Sequence, residues 1–229
     1  MTQPNALHHI AISTGNIKTQ IEFFSDVLGM ELIALYWMHG AEGAWHGFMR
    51  LGQSSVAFVF VPGNEKVDTK IGETHSGHGA GISAPGTMQH LALSVDTQED
   101  MLALRDRIRS RGVPVMGPIH HGFCSSIYFA GPENLTLEIS TSDQANAPLD
   151  LDGTWIDSEV VTQAGISEEE LARYRNPAKY DSPETPVQNP PVDGSKPQFM
   201  LPQEMLKAMF ETPDHILTEA ASDTTPPAK

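Results

Sequence analysis

The amino-acid sequence predicts an α+β protein: two paired βαβββ modules forming a curved mixed sheet around a cleft, followed by a Pro-rich C-terminal arm with short helices. Three observations predict it. Leu7–Ser13 and Met88–Ser94 are apolar-alternating stretches with a histidine at the same register, and His90 follows His9 by 81 positions. Each leads into a segment with apolar residues at helical spacing that ends at a glycine, Gly29 or Gly112. After each glycine come three strand-length apolar runs.

In the first module, Asn16 or Thr14 caps a helix whose inner face carries Ile17, Ile21, Phe24 and Leu28. The strands Met30–Met38, Ala44–Leu51 and Ser54–Val61 complete it, so the module spans about residues 6–62. Residues 63–86 form a loop with six glycines and with His75 and His78; a loop this long in a compact domain is either functional or disordered. Beyond it, Thr97 caps a helix with Met101, Leu104 and Ile108 on one face. The strands Val113–Met116, Cys124–Ala130 and Leu135–Thr141 close the second module, residues 87–142. The two modules make one domain, residues 1–142.

Composition changes in residues 143–229. Most of the chain's 17 prolines lie there, Pro183 among them, and each removes a donor and fixes φ. Two helical islands interrupt the stretch. Ser167–Glu170 reads as a capping box opening a helix to about Tyr174, and Pro202–Phe210 places Met205, Leu206 and Met209 on one face. The segment reads as an arm lying on its own domain or on a second subunit. Disorder is expected for Ser222–Lys229.

The formal net charge is −15, from 14 Lys+Arg against 29 Asp+Glu, which argues against nucleic-acid and anionic-membrane partners. The apolar runs, Val56–Pro62 among them, fall far short of the roughly 20 residues of a membrane span. Met1–Leu7 has neither a basic segment nor an apolar core of a leader, so the expected location is the cytoplasm. The single cysteine, Cys124, excludes a disulfide framework and reads as a packing residue. The 10 histidines stand out.

Period-2 geometry sets which side chains share a face. In Leu135–Thr141, Leu135, Leu137 and Ile139 alternate with Thr136, Glu138 and Ser140. An acid in mid-strand is costly to bury unless it is paired or bound to a cation. If the repeats pack side by side around a concave surface, His9, His90 and Glu138 converge from three strands. Two imidazoles and one carboxylate form the facial set that leaves positions open on Fe(II), and it also suits Mn, Ni, Co or Zn.

The doubled βαβββ order, the strand-starting histidines and the terminal Leu-Glu strand resemble the vicinal oxygen chelate superfamily of glyoxalases, bleomycin- and fosfomycin-resistance proteins, epimerases and extradiol dioxygenases. The resemblance covers about residues 6–142 and implies that His9, His90 and Glu138 hold the metal. A fourth seat would fall at Ala57, which cannot coordinate, so the four-ligand glyoxalase pattern is disfavoured. Ile119–Glu138 is similar to the extradiol ring-cleaving signature and implies that His121 and Tyr128 hydrogen-bond the substrate. Gly131 and Asn134 depart from that signature, and Asn tolerates the left-handed turn. The acid–base histidine of such enzymes has no counterpart in Gly52–Val56; His75, His78 or His46 is expected to replace it, or the chemistry differs.

The resemblance implies a metal-dependent extradiol-type dioxygenase. A catechol-like diol chelates Fe(II), first choice among the metals, and O2 takes the remaining position. His121 moves a proton, Tyr128 steadies the substrate oxygen, and Phe48, Phe58, Phe123 and Trp45 line the ring pocket. A homodimer or higher homo-oligomer is expected. Two rival readings stand beside it: a metal-dependent isomerase, lyase or thiol transferase of the same superfamily, and a metal-free protein that sequesters small molecules. His120 and His121 point opposite ways along a strand, so one of them faces the cleft.

Overall fold

The computed structural model describes residues 3–149, 151–179 and 185–227. In the first module, β1 (His9–Ser13) leads into α1 (Ile17–Glu22). Of the two cap candidates it is Asn16 that caps, its side chain accepting from the Thr19 amide at 3.2 Å, while the Thr14 hydroxyl accepts from the Asn16 amide. The helix is shorter than its apolar spacing predicts, because the backbone widens into a π-turn at Phe23–Val27. Gly29 follows with φ of 81°, a conformation costly to any side chain. Then come β2 (Leu32–Trp37), β3 (Trp45–Leu51) and β4 (Ser54–Phe60).

The second module repeats the order with β5 (Leu91–Ser94), α2 (Gln98–Ser110), β6 (Met116–His120), β7 (Ser125–Ala130) and β8 (Thr136–Thr141). Thr97 caps α2 by accepting from the Asp100 amide at 3.1 Å. One expected strand moves: β6 begins where Val113–Met116 was to end. Pro114 has no amide hydrogen to give a ladder, and pairing starts at Met116 opposite Tyr128.

The strands form two four-stranded sheets, ordered β1-β4-β3-β2 and β5-β8-β7-β6, with β1/β4 and β5/β8 parallel. Their registers repeat at the interval seen in the sequence: Ala11 pairs with Ala57, and 81 positions on, Ala92 pairs with Glu138. The apolar core draws on both modules, with Phe24, Met49 and Phe58 from the first and Met101, Ile108, Ile127 and Leu137 from the second. Hydrogen bonds and a ring contact that join the modules run through α1 and its π-turn. Phe23 stacks on Phe129 at 6.4 Å, and the Arg107 guanidinium donates to the Val27 and Asp26 carbonyls at 2.8 and 3.2 Å. The pairing is thus of two four-stranded mixed sheets around a common core, with His9 on the first sheet and His90 beside the start of β5 in the second.

Beyond residue 142 lie α3 (Ser158–Gln163), α4 (Glu168–Arg175), α5 (Gln203–Phe210) and α6 (Asp214–Ala221). The capping box at α4 is present in both directions, Ser167 to the Glu170 amide and Glu170 back to the Ser167 amide. Asp157 caps α3, which the apolar pattern did not announce. On α5 only Leu206 is buried, while Met205 and Met209 remain 51% and 37% exposed. Pro183, Lys229 and residue 228 lie outside the described residues. No helix among the described residues is long and apolar enough to cross a membrane.

Candidate metal centre

Glu138 sits in mid-β8 between β5 and β7, paired with Ala92 on one side and Tyr128 on the other. It is only 5% exposed. Its Oε2 lies 2.9 Å from His90 Nε2, and its Oε1 accepts from the Ser140 hydroxyl at 2.5 Å. Burial alone raises a carboxyl pKa, but the Ser126–Ser140 hydroxyl pair, which ends on Oε1, and the His90 imidazole outweigh it, and the group lies below the ordinary range.

The tautomer of His90 follows from its neighbour. The Gln89 amide nitrogen donates to the His78 carbonyl at 3.1 Å, which leaves Gln89 Oε1, an acceptor only, against His90 Nδ1. Nδ1 therefore carries a hydrogen. A bare Nε2 lone pair cannot face a carboxylate oxygen at 2.9 Å without repulsion, so a proton or a cation belongs between them. Metal-bound nitrogen and oxygen lie about 2.0–2.2 Å from such ions, which puts donors in adjacent octahedral positions about 3 Å apart. The pair fits a divalent cation.

His9 lies elsewhere. It is exposed on the first sheet, its Nδ1 2.9 Å from His8 Nδ1 and its ring 6.0 Å from Phe48. Among the described residues no group of three or more His, Cys, Asp or Glu is gathered for a metal. The structure thus brings His90 and Glu138 together and leaves His9 apart. Close to His9 is His46, packed on Tyr36 at 4.3 Å; burial, then the neighbouring His39 and His9, lower its pKa.

Beside the His90–Glu138 pair opens a cavity of about 690 Å³ whose walls come from the second module and the 63–86 loop. Ile71, Met116 and Leu135 make its walls largely apolar, and His78, His121 and Tyr128 are among its polar residues. His121 Nε2 is 3.0 Å from the Tyr128 hydroxyl, while His120 turns away to Ser125 at 2.7 Å, so His121 is the member that faces the cleft. Burial, with the Glu138 carboxylate nearby, pushes the Tyr128 phenol up. Among the described residues no lysine or arginine lines the cavity.

The expected ring pocket is corrected. Phe58 is fully buried against Phe24, Trp45 stacks on Phe60 at 4.4 Å, and Phe48 lies on the first sheet; Phe123 packs between His121 and Trp155. Of the three histidines considered as replacements for the missing one, His78 reaches the cavity, whereas His75 bonds Thr74 and His46 stays on the first sheet. Sequence reasoning missed Gln89, Ser126 and Trp155. Gln89 was visible as the neighbour of His90; Trp155, which donates to the Ala147 carbonyl and covers Gly122, left no signal.

The chain belongs to the glyoxalase/bleomycin resistance protein/dioxygenase superfamily, whose model matches residues 6–156. It is similar to biphenyl-2,3-diol 1,2-dioxygenase 2 of Rhodococcus globerulus, 34% identical over 65 residues, which are 26% of this chain and 34% of that protein. The match therefore spans about a third of that relative. A probable lactoylglutathione lyase of Synechocystis sp. is 26% identical over 136 residues, covering 58% of this chain and 92% of the other. A glyoxylase/bleomycin resistance protein/dioxygenase domain from Frankia sp. EAN1pec has a TM-score of 0.48 at 13% identity, over 61% of this chain and 99% of that one.

Proposed function

We propose that the protein is a metal-dependent extradiol-type dioxygenase acting on an uncharged, catechol-like aromatic diol, with Fe(II) held by His90, Glu138 and His9. The observation that carries this reading is the His121–Tyr128 contact at 3.0 Å, set in an apolar cavity against the His90–Glu138 pair. The similarity to a biphenyl-diol dioxygenase supports it. The third donor is His9 of a second copy. The matching registers make the face around His9 the counterpart of the face around His90, and a two-fold pairing sets each against the other. That arrangement makes the protein a homodimer with two sites.

When bound, the ion supplies a Lewis acid that acidifies a substrate hydroxyl and a redox centre between diol and O2. The chain's own groups do the rest. Tyr128, kept protonated by burial, donates to a substrate oxygen. His121 takes and returns a proton at Nε2. The apolar walls hold the ring and exclude water.

The lyase relative favours a second reading, isomerisation of a glutathione adduct. Two points weigh against it: the position matching a fourth ligand seat is the buried Ala57, and among the described residues no lysine or arginine lines the cavity to meet glutathione's carboxylates. The deciding experiment is anaerobic loading with Fe(II), followed by an oxygen-electrode screen of uncharged catechols. The expected result is oxygen uptake with a yellow ring-fission product. Iron-loaded protein that consumes no oxygen with any diol sinks the dioxygenase reading, and turnover of a glutathione hemithioacetal would put the lyase in its place.

A further inference from the structure

The hydroxyls behind Glu138 form a directed chain. Ser140 gives its only hydrogen to Glu138 Oε1. Its oxygen is 2.9 Å from Ser126 Oγ, so Ser126 must be the donor there. With its hydrogen spent, Ser126 accepts from the Cys124 thiol, 3.5 Å away. Each donor thus points toward the carboxylate. Ser126 is fully buried and Glu138 nearly so, while Ser140 is half-buried.

A carboxylate can hold a cation through one oxygen or both. Here Oε1 is committed to Ser140, and only Oε2 faces His90. Turning both oxygens to an ion would break the Ser140 bond and take away the acceptor at the end of a hydroxyl chain anchored in the buried Ser126. We infer that Ser140, backed by Ser126, is a positioning residue that keeps Glu138 a one-oxygen ligand and so keeps open the position that a second substrate oxygen needs. The inference rests on the metal-centre reading and not on the choice between ring cleavage and isomerisation.

The test uses the full-length protein loaded with Co(II), titrated with nitrocatechol as a two-oxygen probe and azide as a one-atom probe, both followed by absorbance. Ser140→Ala should retain Co(II) and bind azide as the wild type does, yet bind nitrocatechol about 10-fold more weakly. Ser126→Ala should show the same selective loss to a smaller degree, and Ser140→Thr, which restores a hydroxyl, should recover the probe. Wild-type nitrocatechol affinity and an unchanged Co(II) spectrum in both alanine variants overturn the inference. So does loss of Co(II) altogether, which would make Ser140 necessary for the ligand itself and not for its denticity. If Ser140→Ala does not fold, Ser126→Ala decides. Wild-type protein that takes up no Co(II) overturns the metal reading and this inference with it.

Discussion

Glu133 of the second module holds Gln20 of the first: its Oε2 accepts from the Gln20 side-chain amide at 2.7 Å, and its Oε1 accepts from the Gly15 and Asn16 amides at 2.7 and 3.2 Å. One carboxylate thus serves the N-terminus of α1 and a fully buried glutamine more than a hundred residues away. It stands in the turn between the strands of Tyr128 and Glu138, so the latch ties the candidate site to the neighbouring module.

Removing that carboxylate strands the buried Gln20 amide and the Gly15 and Asn16 amides that lead into α1, while the Asn16 cap itself stays. Stranding a buried donor costs about 1–3 kcal/mol, so with more than one donor left unpaired Glu133→Ala should lower unfolding free energy by about 2–4 kcal/mol. Urea unfolding of the two proteins measures it. An unchanged midpoint would show that the latch contributes nothing.

A site shared between two copies makes a prediction about mixtures. His9→Ala and Glu138→Ala should each lose metal and activity, because each removes a ligand from both sites. Unfolded together and refolded as mixed dimers, they should regain about a quarter of wild-type sites, since half the dimers are mixed and one site in each is whole. Metal content per chain reports the outcome. No recovery means that His9 does not join a partner's His90 and Glu138.

Tyr128 should titrate late. Its folded pKa is raised, so its contribution to stability is present below the ordinary tyrosine range and fades as pH climbs through the higher folded value. Tyrosinate absorbance followed upward in pH should contain a component above the ordinary range of about 10 that Tyr128→Phe removes. An identical curve in the variant would refute the shift.

The turn before β8 offers a backbone test. Asn134 has φ of 62° and Glu133 φ of 55°, both in the left-handed region. Asn134→Gly should be neutral or slightly stabilising, whereas Asn134→Val should cost about 1–2 kcal/mol, because a branched side chain is strained there. Thermal unfolding of both variants separates the two cases; equal melting would argue that the turn relaxes.

Local patterning made most of the fold legible. The repeat at 81 positions reappears as matching strand registers, and side-chain alternation guards them against a one-residue slip, which would turn the apolar set outward. Asn16, Thr97 and Ser167 announced their helices because a cap is a contact between residues three apart. The π-turn after α1 and the late start of β6 were less visible, the first because a widened turn keeps nearly the same apolar spacing, the second because pairing depends on the partner strand.

For the site, alternation along β8 already set Glu138 and Ser140 on one face, and adjacency already set His120 and His121 on opposite ones. The sequence by itself therefore determined which side chains each strand presents. What only the tertiary structure decided is which strands face each other: His90 beside Glu138, His121 beside Tyr128, and His9 on a separate sheet. The reason is physical. Face and register are set by neighbours a few residues apart, whereas the meeting of two sheets depends on how α1, its π-turn and the Glu133 latch pack, and those contacts span more than a hundred positions.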